Sequence, residues 1–151
     1  MILEAPTFDR LLYIAERMRD WDRREIYAAR WTDDPFPLAA ECLTYGDFTW
    51  IAGRERPIAF IGAAPMHPGV WSVLMFATEE FDRIRLSLTK HVIRVMIPAL
   101  VNVGAHRAEC HSLEGHEEAH RWLEALGAKR ESVRPGFGKN GEDFVCFSWR
   151  R

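Results

Sequence analysis

The segment Val70-Trp71-Ser72-Val73-Leu74-Met75-Phe76-Ala77 is apolar at every position but Ser72. Such a run is too short to cross a membrane and reads as a strand without a polar face. A strand of that kind lies inside a sheet covered on both sides. The residues after Ala77 narrow the choice further. Thr78 is placed to cap a helix, and Glu79, Glu80 and Asp82 fall in the first turn, where the helix dipole favours acids. Phe81, Ile84, Leu88, Val92, Val95, Met96, Ala99 and Val103 then keep a helical period over about six turns. Pro98 predicts a kink near the end of that helix, and Gly104 suits the position just past it. A buried strand feeding a long amphipathic helix demands a layered α/β or α+β domain.

The rest of the chain supplies the other layers. Ile2–Ala5 reads as a short strand, and Thr7 as the N-cap of a helix carrying Phe8, Leu11, Leu12, Ala15 and Met18 at helical spacing. A second helix is expected over Asp22–Arg30. Thr32-Asp33-Asp34-Pro35-Phe36-Pro37 is expected to be a loop, because two prolines interrupt it. Phe48–Ala52 and Pro57–Ala64 read as strands around the turn Gly53-Arg54-Glu55-Arg56. Beyond the long helix come a strand over Ala105–Leu113 and a short helix with Ala119, Trp122, Leu123 and Leu126 on one face, closed by Gly127. Lys129–Val133 and Phe144–Trp149 form a terminal hairpin around the glycine-rich loop Pro135–Gly141. The order β-α-α-β-β-β-α-β-α-β-β predicts one domain over residues 1–151, with antiparallel strands first and a parallel crossover later.

Composition excludes several function classes. Twenty basic residues against twenty-two acidic ones give a net charge of −2, unlike a strongly basic nucleic-acid binder. No apolar run reaches membrane-spanning length. The opening Met1-Ile2-Leu3-Glu4-Ala5-Pro6 has no basic and apolar leader pattern, so a cytoplasmic protein is expected. Cys42, Cys110 and Cys146 are odd in number and far apart, and read as reduced thiols.

Several groups of residues bear chemistry. His116-Glu117-Glu118-Ala119-His120 matches His-Glu-x-x-His, the helical spacing that can hold zinc. Its place at a helix start after Gly115 favours two histidines flanking an amphipathic helix instead, so no metal is expected. Arg107, Glu109 and His111 alternate on one face of a strand, where charges must be paired or wet. Cys110 points the other way and reads as a buried structural thiol. Arg83, Ser87, Lys90 and Arg94 form a mostly basic stripe that reads as a solvated helix face.

The element order, together with Ala119-His120-Arg121-Trp122-Leu123-Glu124-Ala125-Leu126-Gly127-Ala128, resembles the GNAT superfamily of N-acetyltransferases. Within it, Met18-Arg19-x-x-Asp22-x-x-Glu25-Ile26 resembles short GNAT-like phage and prophage proteins, including internal virion proteins of podophages. The resemblance implies an α/β (α+β) single domain. Its mixed, mostly antiparallel sheet has about six or seven strands, flanked by about four helices. It implies acyl transfer from acetyl-CoA to an amine, on a small molecule or a protein. Phe76, Ala77, Thr78, Phe81, Asp82 and Arg83 would hold the pyrophosphate by backbone N–H groups. Glu109 or His111 would be the base, and Asp22 and Glu25 would bind a cationic acceptor. The loop Pro135–Gly141 would act as a lid.

The sequence departs from the family at its chemical positions. The glycine-rich phosphate motif is replaced by Thr78-Glu79-Glu80-Phe81-Asp82-Arg83-Ile84, whose three acids would repel phosphates. Leu123 stands where the family's tyrosine acid falls, and Val70–Ala77 lacks the family's strand glutamate. A fold can be inherited without its activity. The alternative is therefore a catalytically inactive phage or prophage virion or interaction protein, with virion proteins as partners. A homodimer paired through the terminal strands is the expected assembly.

Overall fold

The computed structural model describes residues Met1–Arg151. Seven strands form one sheet: β1 (Ile2–Glu4), β2 (Thr49–Gly53), β3 (Pro57–His67), β4 (Val70–Ala77), β5 (Arg107–Leu113), β6 (Lys129–Arg134) and β7 (Phe144–Arg150). Their spatial order is β1-β2-β3-β4-β5-β7-β6. Every neighbouring pair is antiparallel except β4 with β5. The reversal between β3 and β4 needs Gly69, which has φ +82°, and a Cβ there would sit 2.3 Å from the His106 Nδ1.

Five helices cover the sheet. On one face α1 (Phe8–Glu16), α2 (Asp20–Ala28) and α3 (Pro35–Cys42) bury Leu11, Ile14, Ile26 and Leu38 against Ile51, Phe60 and Phe76. On the other face α4 runs as Arg85–His91, a π-helical turn Val92–Met96, and Ile97–Asn102. It buries Leu88, Val92, Met96 and Leu100 against Ala59, Ile61 and Ala77. Helix α5 (Glu117–Ala125) adds Leu123, which packs on Val145 and Phe147. Strand β4 is thus covered on both sides, as its sequence predicts. Its residues Trp71–Met75 are only half-buried, because one edge faces a gap.

Two local expectations are corrected and a third is refined. The segment around Pro35 and Pro37 is not a loop but the start of α3. Asp34 caps it by accepting the Phe36 N–H at 2.9 Å, and both prolines lie in the first turn, where a missing N–H costs nothing. This fifth helix exceeds the four expected. Thr78 does cap, but it caps a 3₁₀ turn over Glu79–Arg83, and α4 itself begins at Arg85. Pro98 acts through the π turn before it, where the Ile97 N–H reaches back to the Val92 carbonyl. The wider turn makes room for the proline ring against the preceding turn. Thr7 caps α1 as expected, accepting the Arg10 N–H at 3.3 Å.

Candidate functional site

Strands β4 and β5 pair in parallel only at Val70 with Arg107, Trp71 with Ala108 and Ser72 with Glu109. Beyond Ser72 they diverge, and a cavity of about 660 Å3 opens between them. Diverging strands leave inner-edge backbone groups without partners, which is costly unless something else bonds them. Helix α2 supplies those partners from residues one turn apart. Asp22 Oδ2 accepts the Ala77 N–H of β4 at 2.8 Å, and Glu25 Oε1 accepts the Leu113 N–H of β5 at 2.6 Å. The Ala77 carbonyl accepts the Arg19 N–H at 2.9 Å. Strand period two then turns the Met75 N–H and C=O into the same gap.

The polar end of the gap is densely bonded. Asp22 is 3% exposed and is held by the Arg19 guanidinium at 2.9 and 3.1 Å. Burial nevertheless raises its carboxyl above the usual range, against the pull of Arg19. Glu25 Oε1 also accepts the Ser112 hydroxyl at 2.5 Å and contacts His116 Nδ1 at 3.2 Å. A carboxylate can only accept, so Nδ1 carries the hydrogen in that contact. His116 is buried and stacked on Trp21, with ring centroids 5.3 Å apart. At the mouth, Arg19 and Arg85 lie over the Phe81 ring at 4.6 and 5.7 Å. Both also face Glu118.

The structure brings some predicted site residues together and separates others. Asp22 and Glu25 line the cavity, as does Phe81. Ala77 ends the β4 edge of the gap, whereas Phe76 belongs to the core under α1 and α3. Asp82 is exposed and paired with Arg85, and Arg83 pairs with Glu80 and Glu55. The acids of this turn are therefore largely neutralised by neighbouring arginines, which removes much of the repulsion their sequence implies. Glu109 accepts from Arg107 Nε at 2.8 Å and does not line the cavity. His111 does line it, stacked on Phe137 of the glycine-rich loop at 5.0 Å. That loop is tied to α2 by the Lys139 N–H, which donates to the Ala28 carbonyl at 2.7 Å.

His116 and His120 do not share a ligand. The first meets Glu25, and His120 Nε2 bonds the Leu113 carbonyl at 3.1 Å. Glu109, Glu131 and Cys146 place ligand atoms within 4.8 Å of one another. Arg107 already bonds both carboxylates there. The three cysteines are unpaired, and burial raises the Cys110 thiol well above its usual value. The residues that sequence reasoning missed are Ser112 and the Glu25–His116 contact. Glu25 and His116 each stood out, but in separate motifs.

Three buried or half-buried histidines give this fold a pH dependence. Burial holds His91, His111 and His120 below their ordinary value of 6.5. The unfolded chain therefore binds more protons just below pH 6.5, so stability rises with pH through that window and is lost as pH falls. Asp22 titrates in the opposite sense, but one carboxyl opposes three imidazoles. The melting temperature is expected to be lower at pH 5 than at pH 7.5, and equal values would refute this.

No family model matches the chain, and no curated protein matches it in sequence. Solved structures do match in shape. Ard1 from Thermoplasma volcanium superposes with TM-score 0.76 at 10% identity, over 99% of this chain and 96% of that one. The ribosomal-protein-alanine N-acetyltransferase from Brucella melitensis gives 0.75 at 12% identity, over 100% of both chains. YncA from Salmonella typhimurium, solved with its cofactor acetyl-CoA, gives 0.72 at 14% identity, over 99% of this chain and 93% of that one. The seven-stranded sheet with its splayed β4 and β5 is the GNAT acetyltransferase fold. The narrower likeness to phage proteins gains no support from these structures.

Proposed function

We propose that this protein is an acyl-CoA-dependent N-acyltransferase, with acetyl-CoA as donor. The observation that carries the reading is the gap between β4 and β5, with Met75 backbone groups facing it and apolar side chains around it. An extended, amide-bearing arm fits such a gap, because it can pair with strand edges and bury its carbons. Val73, Met75, Met96 and Leu100 form the apolar wall. The turn that carries Phe81 borders the mouth, and there Arg85, which lines the cavity beside Phe81, would meet the pyrophosphate. Bound acyl-CoA supplies an activated carbonyl. The protein's part is to orient that carbonyl, shield it from water and bring an amine to it. Asp22, Glu25 and His116 form the polar end toward which a cationic acceptor is drawn, and His111 borders the same space.

Calorimetric titration with acetyl-CoA, with desulfo-CoA as a control that carries no acyl group, tests this. Micromolar binding at one site and a raised melting temperature are the expected results. No heat and no stabilisation at millimolar ligand would overturn the reading. The second reading, a GNAT-shaped virion or interaction protein without catalysis, is favoured by the glycine-free Thr78–Arg83 turn. It is what a null titration would leave.

A further inference from the structure

We propose that Glu25 is the general base of the acyl transfer, and that its Oε2 takes a proton from the ammonium group of a primary-amine acceptor. The assignment rests on the acyl-CoA reading above and goes beyond it by naming the atom that receives the proton.

The two oxygens of Glu25 have different fates. Oε1 faces three donors: the Ser112 hydroxyl at 2.5 Å, the Leu113 N–H at 2.6 Å and His116 Nδ1 at 3.2 Å. An oxygen with two lone pairs is saturated by such a set. Oε2 bonds to nothing in the protein, and the side chain lines the cavity at 14% exposure. The carboxylate is thus fixed by one oxygen and presents the other. The fixing groups are themselves rigid. Ser112 and Leu113 lie on β5, and His116 is clamped against Trp21.

Charge points to the class of acceptor. Asp22 has Arg19, and Glu118 has Arg85 and Arg19. Glu25 has no lysine or arginine within 4 Å, and His116 is its one basic neighbour. His116 Nε2 in turn lies 3.7 Å from Asp22 Oδ1. A half-buried carboxylate without a cation is stabilised by one brought from outside, and an alkylammonium group supplies it. The other candidate bases are less able to act. Glu109 is held by Arg107 and lies off the cavity, and the His111 Nε2 is buried and stacked against Phe137 although the ring borders the cavity.

The step balances without a further reactant. The ammonium passes one proton to Oε2, leaving a neutral amine and a neutral Glu25. The nitrogen lone pair forms the C–N bond at the thioester carbon. The C–S bond breaks, and its electron pair leaves with sulfur, which takes the second proton shed by nitrogen. Glu25 then releases its proton to water.

Glu25→Gln tests this, because the amide carbonyl still accepts from Ser112, Leu113 and His116 while the charge is gone. Acetyl transfer is followed with 1,4-diaminobutane, lysine amide and a short peptide with a free N-terminus as acceptors. The expected result is a kcat lower by about 10²- to 10⁴-fold, with calorimetric affinity for acetyl-CoA unchanged. The deficit should shrink toward pH ~10, where the amine loses its own proton. Equal rates, or a deficit that does not change with pH, overturn the assignment. If wild type binds acetyl-CoA but acetylates none of the amines, the assignment falls and the acyl-CoA site stands. If acetyl-CoA does not bind, the acyl-CoA reading itself falls. Should Glu25→Gln not fold, Ser112→Ala reads the same contact. It loosens Oε1 and should lower kcat several-fold at unchanged acetyl-CoA affinity, and an unchanged kcat overturns the assignment.

Discussion

Asp22→Ala is expected to lower the folding free energy by about 3–5 kcal/mol, the cost of removing one partner from a buried ion pair. The change strips a bidentate acceptor from Arg19 and leaves the Ala77 N–H facing a void. Arg19 is itself only 14% exposed, so its charge cannot simply turn to water. The substitution also removes the hydrogen bond that ties the start of α2 to the end of β4. In a chain of this size the loss corresponds to a melting temperature lower by about 10 °C. Urea unfolding checks it through the midpoint at constant slope. Asp22→Asn keeps an acceptor for Ala77 and loses only the charge, so its cost should be smaller. A loss under about 1 kcal/mol for the alanine variant would show that the carboxylate is not what holds the strand end.

Val73→Trp is expected to weaken acetyl-CoA binding at least ~100-fold, or about 2.7 kcal/mol, while the protein still melts as one native species. Val73 lies on β4 just past the last β4–β5 pair, where the strands part, and it lines the cavity. A cavity of about 660 Å3 has room for an indole, so the added bulk fills the gap instead of straining the core. Calorimetry reads the affinity and a thermal melt reads the fold. Unchanged affinity in a folded variant would place the ligand somewhere other than between β4 and β5. Together the two substitutions separate what keeps the gap open from what occupies it.

Much of the architecture was legible because it is written in local periods. The unbroken apolar run of β4, the helical stripe from Phe81 to Val103 and the Thr7 cap each name their element within a few residues. Helix α3 was not, because Pro35 and Pro37 signal a break unless the Asp34 cap is recognised as putting them in a first turn. Strand order was legible only in part. A terminal hairpin is readable, but nothing local says that β7, not β6, lies against β5. The site shows the same division. Asp22 and Glu25 carry a readable helical spacing, and the His116 motif carries another. Their contact spans 91 positions, and no periodicity reaches that far. Glu109 and His111 share a strand face, yet Arg107 claims the first, and only the second borders the cavity, stacked on Phe137. Side-chain competition of that kind is decided by packing, after the fold is made.

The Met75 edge has a bearing on how such chains diverge. A ligand gripped through main-chain amides places almost no demand on which side chains flank them, since every residue except proline offers the same N–H and C=O. Mutations can then accumulate along both strands while the grip persists, provided the strands stay parted. That is a lenient filter, and a grip of this kind would be compatible with a shape shared at TM-scores of 0.72–0.76 by chains with 10–14% of their residues in common. What these chains share is a backbone shape, a trait that letter-by-letter comparison of sequences does not register.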